Sequence, residues 1–160
     1  MTKKISLLVV LIITFGALLL SPASQAAASQ SLSVTIEVDT LFGEIAVLPS
    51  PFTAHGPAVD AGLLCPSGTV SDLLSIAAGP PSDGPINFHV IKLFECADGS
   101  GTATIQLNAH VIFDPFSDVG PWNVLAATGA YANLHGTGTL EGTPTATGVY
   151  DVYTGSLHQD

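Results

Sequence analysis

The chain is short of positive charge. Its 160 residues contain three lysines, no arginine and thirteen carboxylates. Lys3 and Lys4 lie near the amino terminus, so Lys92 is the only lysine beyond residue 28, where all thirteen carboxylates are found. Such an acidic chain repels phosphate backbones and anionic lipid headgroups. Nucleic acids and electrostatic docking to membranes are therefore not expected among its partners.

Several signatures of enzymes are also missing. The sequence has no Gly-x-Ser-x-Gly elbow, no His-Glu-x-x-His zinc helix, no phosphate-binding loop and no dinucleotide fingerprint. No cofactor is expected on these grounds. Long helix-forming runs of Glu, Lys, Arg and Gln are absent too, whereas Gly, Pro, Thr, Ser and Val are abundant. Short strands joined by glycine and proline turns are typical of an antiparallel sandwich or barrel.

The amino terminus has the order of a secretory signal peptide. Lys3 and Lys4 precede the apolar run Ile5–Leu20, which ends at Ser21-Pro22 before the small residues Ala23–Ala28. This order predicts a signal peptide over residues 1–28, cleaved after Ala26 or Ala28. A membrane anchor is the alternative, but the run is shorter than the ~20 residues that span a bilayer. We therefore expect an extracellular or periplasmic protein with one domain over residues 29–160 and no membrane attachment.

Cysteine is scarce. Cys65 and Cys96 are the only two, and both lie in the part predicted to be exported. An even number of cysteines in an oxidising compartment favours one disulfide. Their spacing is not Cys-x-x-Cys, so a redox-active pair is not expected, and without a third nearby Cys or His neither is a structural zinc site. No metal is predicted.

Strand patterns run along most of the remaining chain. Apolar and polar residues alternate over Leu32–Val38, and the apolar segment Ile45–Leu48 follows. A strand containing Cys65 is predicted over Leu63–Ser71. The short apolar run Leu73–Ala78 is not assigned to a strand or a helix. The last strands are predicted at Trp122–Ala127, Gly136–Gly142 and Val149–Leu157. The proline-rich segments Pro51–Gly62 and Asp114–Pro121 are predicted to be loops.

The clearest local signal is a hairpin. Ile86–Cys96 and Thr102–Phe113 flank Asp98-Gly99, a strong tight-turn sequence. The connection can be a two-residue turn or a four-residue loop, and the two give different strand registers. Either register places the same residues on each face of the hairpin. One face carries Phe88, Val90, Lys92, Phe94 and Cys96 with Ile105, Leu107, Ala109 and Val111; the other carries His89, Ile91, Leu93 and Glu95 with Thr104, Gln106, Asn108 and His110. Large apolar residues on both faces fit a sheet with one covered face and one lining a barrel.

A longer motif suggests a family. The segment Thr128–Leu140 resembles the Thr-Gly-x-aromatic…Gly motif of dirigent and allene oxide cyclase barrels. It is more similar still to exported bacterial proteins of that superfamily, in which Cys-Pro-Ser-Gly-Thr (here Cys65–Thr69) precedes a hairpin like Phe94–Thr102, and Tyr-Thr-Gly (here Tyr153–Gly155) occurs near the end. The resemblance implies an all-β, eight-stranded, closed antiparallel barrel around an apolar cavity. The catalytic glutamate of the cyclases and the acidic residues of the dirigents have no match in this sequence.

Individual side chains give only weak candidates for chemistry. Lys92 could bind a ligand carboxylate, polarise a carbonyl or form a Schiff base, although pairing with a carboxylate is the more ordinary role. Asp151, between Tyr150 and Val152, could act as an acid or base, or simply hydrogen-bond a neighbouring strand. His89 and His110 share a face, which favours cross-strand polar pairing over metal binding. Candidate ligand contacts are Lys92, Phe88, Phe94, Tyr131 and Tyr153, with core packing as the alternative for Phe94 and Tyr131.

Three functions are compatible with these residues. The first is an exported binding protein that holds an apolar small molecule inside the barrel. The second is a cofactor-independent cyclase or isomerase whose cavity folds its substrate and excludes water. The third is a structural or surface-interaction protein with a filled barrel. A cavity of several hundred Å³ that contains Lys92 or Asp151 would favour the first two.

Overall fold

Eight antiparallel strands, taken in chain order, form a closed barrel. The computed structural model describes residues 30–41, 49–79 and 84–160; the predicted signal peptide and the segment Ile45–Leu48 lie outside them. The elements are β1 (Leu32–Leu41), β2 (Ser50–His55), α1 (Pro57–Asp60), β3 (Ser67–Ala78), β4 (Ile86–Cys96), β5 (Gly101–Phe113), β6 (Phe116–Gly129), β7 (Leu134–Pro144) and β8 (Gly148–Gln159). Pairing of β1 with β8 closes the barrel. Of the helices described, none is long and apolar enough to cross a bilayer.

The predicted hairpin is confirmed. Ile86 lies opposite Val111 and Glu95 lies opposite Thr102, which is the register of the two-residue turn at Asp98-Gly99. The face that carries Val90, Lys92 and Phe94 points into the barrel and is buried, while the face of His89 and His110 points outward. Two polar pairs cross the outer face: His89 bonds Asn108 at 2.8 Å, and His110 bonds Asn87 at 2.9 Å. These contacts confirm cross-strand pairing for both histidines.

One half of the barrel interior is filled by large side chains. We call this region the packed half, defined by Ile36, Phe52, Phe94, Trp122, Tyr153 and Leu157, all of which are almost fully buried. Phe94 makes edge-to-face contacts with Phe52 and Tyr153, with ring centroids 5.2 and 6.0 Å apart. Glycines make room for Trp122, because a Cβ at Gly138 or Gly155 would come within 2.6 Å of its ring. Core packing is therefore the observed role of Phe94.

The two cysteines form the predicted disulfide. Cys65 and Cys96 are joined with their Cα atoms 5.8 Å apart. The bond links the connection between α1 and β3 to the end of β4, beside the pairing of Gly68 with Cys96. Disulfides of this kind are typical of proteins that fold outside the cytoplasm. The prediction that Cys65 lies within a strand was wrong, because β3 begins only after Pro66.

Both predicted proline-rich loops were also wrong. Within Pro51–Gly62, the residues Phe52 and Ala54 point into the barrel as part of β2, and α1 follows. Pro51 is tolerated because it stands at the start of the strand. Within Asp114–Pro121, β6 has already begun at Phe116. The strands β5 and β6 keep one register across Pro121, and no pairing is formed between Trp122 and Val119, where the proline has no N–H to donate.

Candidate functional site

The other half of the barrel contains a cavity of about 310 Å³. Its mouth is at the ends of β3 and β5, since Ser75 and Phe113 line it and are exposed to solvent. We call this region the open half. Most of its wall is aliphatic or aromatic, and it also carries a small group of polar side chains. The lining residues are Thr40, Asp72, Ser75, Phe88, Val90, Lys92, Leu107, Ala109, Val111, Phe113, Phe116, Asp118, Leu140, Val149 and Asp151.

Four charged residues of the open half form what we call the polar cluster: Asp72, Lys92, Asp118 and Asp151. They come from β3, β4, β6 and β8, and each occupies an inward position of its strand. Lys92 alternates with Val90 and Phe94, and Asp151 alternates with Val149 and Tyr153, so both polar groups interrupt otherwise apolar faces. The closed barrel brings them together although they are far apart in sequence.

Gly142 leaves space for two of the carboxylates. It lies on β7 directly between its register partners Asp118 on β6 and Asp151 on β8. A Cβ at this position would come within 2.9 Å of the Asp118 Cβ and 3.0 Å of its Oδ2 atom. A larger residue would therefore push the Asp118 side chain out of place. With glycine here, the two acidic side chains flank a position that has no side chain of its own.

Lys92 is already engaged by a carboxylate. Its Nζ lies 2.7 Å from Oδ1 of Asp72, its register partner on β3. The lysine is only 8% exposed, whereas the Asp72 side chain is 45% exposed. Burial of a lysine is costly unless a partner neutralises it, and Asp72 supplies that partner. Lys92 therefore fills the pairing role, and a ligand carboxylate would have to compete with Asp72 for its ammonium group.

Asp151 is a buried carboxyl with an incomplete set of hydrogen bonds. It is 6% exposed, and its Oδ2 accepts one bond from the Thr40 hydroxyl at 3.1 Å. Its Oδ1 has no donor among the described residues. Burial, followed by the negative charge of Asp118, raises the pKa of Asp151 from 3.8 to about 6, while Lys92 and the Thr40 bond act in the opposite direction. The group can therefore change its protonation state near neutral pH.

Asp118 and Tyr153 present two further unsatisfied oxygens. Oδ1 of Asp118 and the hydroxyl of Tyr153 are buried and have no partner within the described part of the chain. Burial raises the pKa of Asp118, and Lys92 partly offsets that rise. Burial also raises the pKa of Tyr153 far above its ordinary value, with the charge of Asp151 as the next cause. The tyrosine is thus a neutral hydroxyl, on the same face of β8 as Asp151 and two residues away from it.

The structure separates the candidate residues into two groups. Lys92, Asp151 and Phe88 line the cavity, whereas Phe94 and Tyr153 belong to the packed half. Tyr131 lies beside the turn that joins β4 to β5, where its hydroxyl is 2.6 Å from that of Ser100. It is buried there and does not line the cavity.

Asp72, Asp118 and Thr40 were missed as site residues. A sequence signal existed for Asp72, because it follows inward-facing Val70 at strand spacing. Asp118 was missed because it lies in the segment Asp114–Pro121, which was predicted to be a loop. Within residues 30–41, 49–79 and 84–160, no group of three or more His, Cys, Asp or Glu side chains is placed to hold a metal ion.

The arrangement can do two things chemically. Its apolar wall can take up the hydrocarbon part of a small molecule, and its unpaired oxygens can accept hydrogen bonds from a polar group on that molecule. Asp151 can also exchange a proton inside a water-poor cavity. Neither a scan against protein-family models nor a search of curated proteins finds a match to this chain.

Proposed function

We propose that this protein is an exported binding protein that holds an apolar small molecule in the open half of its barrel. The cavity itself is the main support, because about 310 Å³ of space with walls such as Val90, Leu107 and Val111 is left unfilled beside a tightly packed core. Such a space falls at the lower end of the range of small-molecule sites. The signal-like amino terminus and the disulfide support export.

The sequence motif adds a proposal about family. The resemblance of Thr128–Leu140 to dirigent and allene oxide cyclase barrels, together with the closed eight-stranded architecture, supports membership of that superfamily. A shared barrel does not carry an activity with it, because function depends on the residues of the site. The third candidate, a barrel filled throughout, has less support because the open half is not filled.

A cofactor-independent cyclase or isomerase is the second candidate. It is favoured by Asp151, whose pKa of about 6 suits a group that gives and takes protons near neutral pH. Turnover of an unsaturated epoxide or a radical-derived phenol that is lost in Asp151→Asn and in Lys92→Met would identify an enzyme. Binding without turnover would identify a carrier.

Two matched substitutions test the binding proposal. Ala109 lines the cavity and Ala126 is exposed on the outer face, so Ala109→Leu fills space that Ala126→Leu leaves open. We expect the neutral fluorophore N-phenylnaphthylamine to bind the native protein and Ala126→Leu equally, and Ala109→Leu much more weakly. Circular dichroism checks that both variants keep their β structure. Equal binding by both variants, or none by the native protein, would refute the proposal.

A further inference from the structure

The geometry points to a ligand class: we propose that the bound molecule is an amine whose ammonium group lies between Asp118 and Asp151 and whose apolar part fills the open half. This inference rests on the proposed binding function and adds the charge of the ligand. It is carried by the charge of the polar cluster, by the unpaired oxygens within it and by the apolar wall next to them.

The charge of the cluster is unbalanced. Three carboxylates face one lysine, and Lys92 is held 2.7 Å from Asp72. Asp118 and Asp151 therefore share no cation at ion-pair distance within the described residues. They flank Gly142 on neighbouring strands, so their negative charges act on the same small volume. A positive group placed there would be attracted by both carboxylates.

The unpaired oxygens need donors. Oδ1 of Asp118 and Oδ1 of Asp151 are buried acceptors to which no described residue donates. An ionised carboxylate can only accept, whereas an ammonium group has three N–H donors and no acceptor. A single ammonium could thus donate to both acidic side chains, and charge-assisted bonds of this kind are the strong ones. A ligand hydroxyl would supply one donor and no charge.

A ligand carboxylate fits the cluster poorly. It would meet two carboxylates at close range, and Lys92, the only lysine in the part of the chain that the structure describes, is already paired with Asp72. The acidic character of the whole chain repels anions in the same sense and attracts cations toward the cavity mouth. Of the roles considered for Lys92, contact with a ligand carboxylate is therefore less favourable than pairing with Asp72.

Three ligands of equal length test the charge of the ligand directly. Octylamine, octanol and octanoate have the same apolar chain and differ in their polar group. Their affinities are measured by displacement of N-phenylnaphthylamine at about pH 8, where Asp151 is ionised and an alkylamine is protonated. We expect octylamine to bind roughly tenfold or more tightly than octanol, with octanoate the weakest.

Three isosteric substitutions locate the effect. Asp151→Asn and Asp118→Asn each remove one carboxylate of the cluster, and Asp39→Asn removes one from the exposed outer face of β1. The first two should weaken the binding of octylamine by roughly tenfold or more and leave the affinity for octanol nearly unchanged. Asp39→Asn should change neither. Thermal unfolding shows whether each variant is folded under the conditions of the assay.

The outcomes separate the two proposals. Octanol binding as tightly as octylamine, or equal loss in Asp39→Asn and Asp151→Asn, overturns the amine inference while the apolar site stands. Failure of all three ligands and of N-phenylnaphthylamine overturns the proposed function itself. Tightest binding of octanoate would overturn the amine inference in favour of Lys92 as the ligand contact.

Discussion

The packed and open halves of this barrel are built from the same eight strands, yet they are filled differently. In the packed half, aromatic rings from β2, β4 and β8 contact one another, and Gly138 and Gly155 make room for Trp122 of β6. In the open half, the same inward alternation presents smaller residues such as Ala109, Val111 and Val149, together with the polar cluster. We infer that apolar burial in the packed half stabilises the barrel and offsets the unfilled space and the buried charge of the open half.

The largest expected effect comes from emptying the packed half. Trp122→Ala removes the largest buried side chain and should lower the free energy of unfolding by about 3–5 kcal/mol. Phe88→Ala in the open half removes a partly buried ring beside existing space and should cost about 1 kcal/mol. Denaturant unfolding measures both. Equal losses would show that the two halves do not differ in packing.

The disulfide should matter for stability and not for the cavity. Cys65 and Cys96 close a loop with a sequence separation of 31, and Cys65→Ser with Cys96→Ser should cost about 3–4 kcal/mol in the chain-entropy model. Neither cysteine lines the cavity, so affinity for N-phenylnaphthylamine should be retained while the variant is folded. If the variant is folded at low temperature but no longer binds N-phenylnaphthylamine, the disulfide matters for the cavity as well as for stability.

Asp151 should make the protein more stable as the pH falls. Because its folded pKa of about 6 lies above the ordinary 3.8, the folded state binds a proton more tightly than the unfolded chain. Stability is therefore lost as the pH rises through that interval, by at most about 3 kcal/mol. The groups facing Asp151 are Asp118, Asp72, Lys92, Thr40 and Tyr153.

The variant Asp151→Asn tests this linkage. It should be more stable than the native protein near neutral pH, and the difference should shrink as the pH falls from about 6 toward about 4. Urea unfolding at a series of pH values gives the difference curve, with Asp39→Asn as the exposed control. A variant less stable than the native protein at neutral pH would mean that the ionised carboxylate is stabilised by its surroundings.

The smallest effect is expected from the Tyr153 hydroxyl in the packed half. Tyr153→Phe deletes a buried hydroxyl that has no partner among the described residues and keeps the ring against Phe94. Removal of an unsatisfied polar group should be neutral or stabilising by up to about 1 kcal/mol. Thermal unfolding measures it. Clear destabilisation would reveal that the hydroxyl is hydrogen-bonded in the folded protein.

The sequence predicted the fold better than the site. Alternation over Leu32–Val38 and the Asp98-Gly99 turn are local signals, and they led to the correct strand and to the correct hairpin with its two faces, while the choice between two registers needed the structure. Pro51 and Pro121 misled because proline favours loops, and only the strand pairing shows positions where its missing N–H is harmless. The polar cluster as a whole could not be predicted, because the Asp72–Lys92 pair on β3 and β4 comes near Asp118 and Asp151 only in the closed barrel.

The most direct test of the account is a methyl NMR titration of the protein with octylamine. Shift changes are expected at Val90, Leu107 and Val111, which line the open half, and little change at Ile36 and Leu157 in the packed half. Changes confined to exposed residues such as Val119 and Leu125 on the outer face would contradict it.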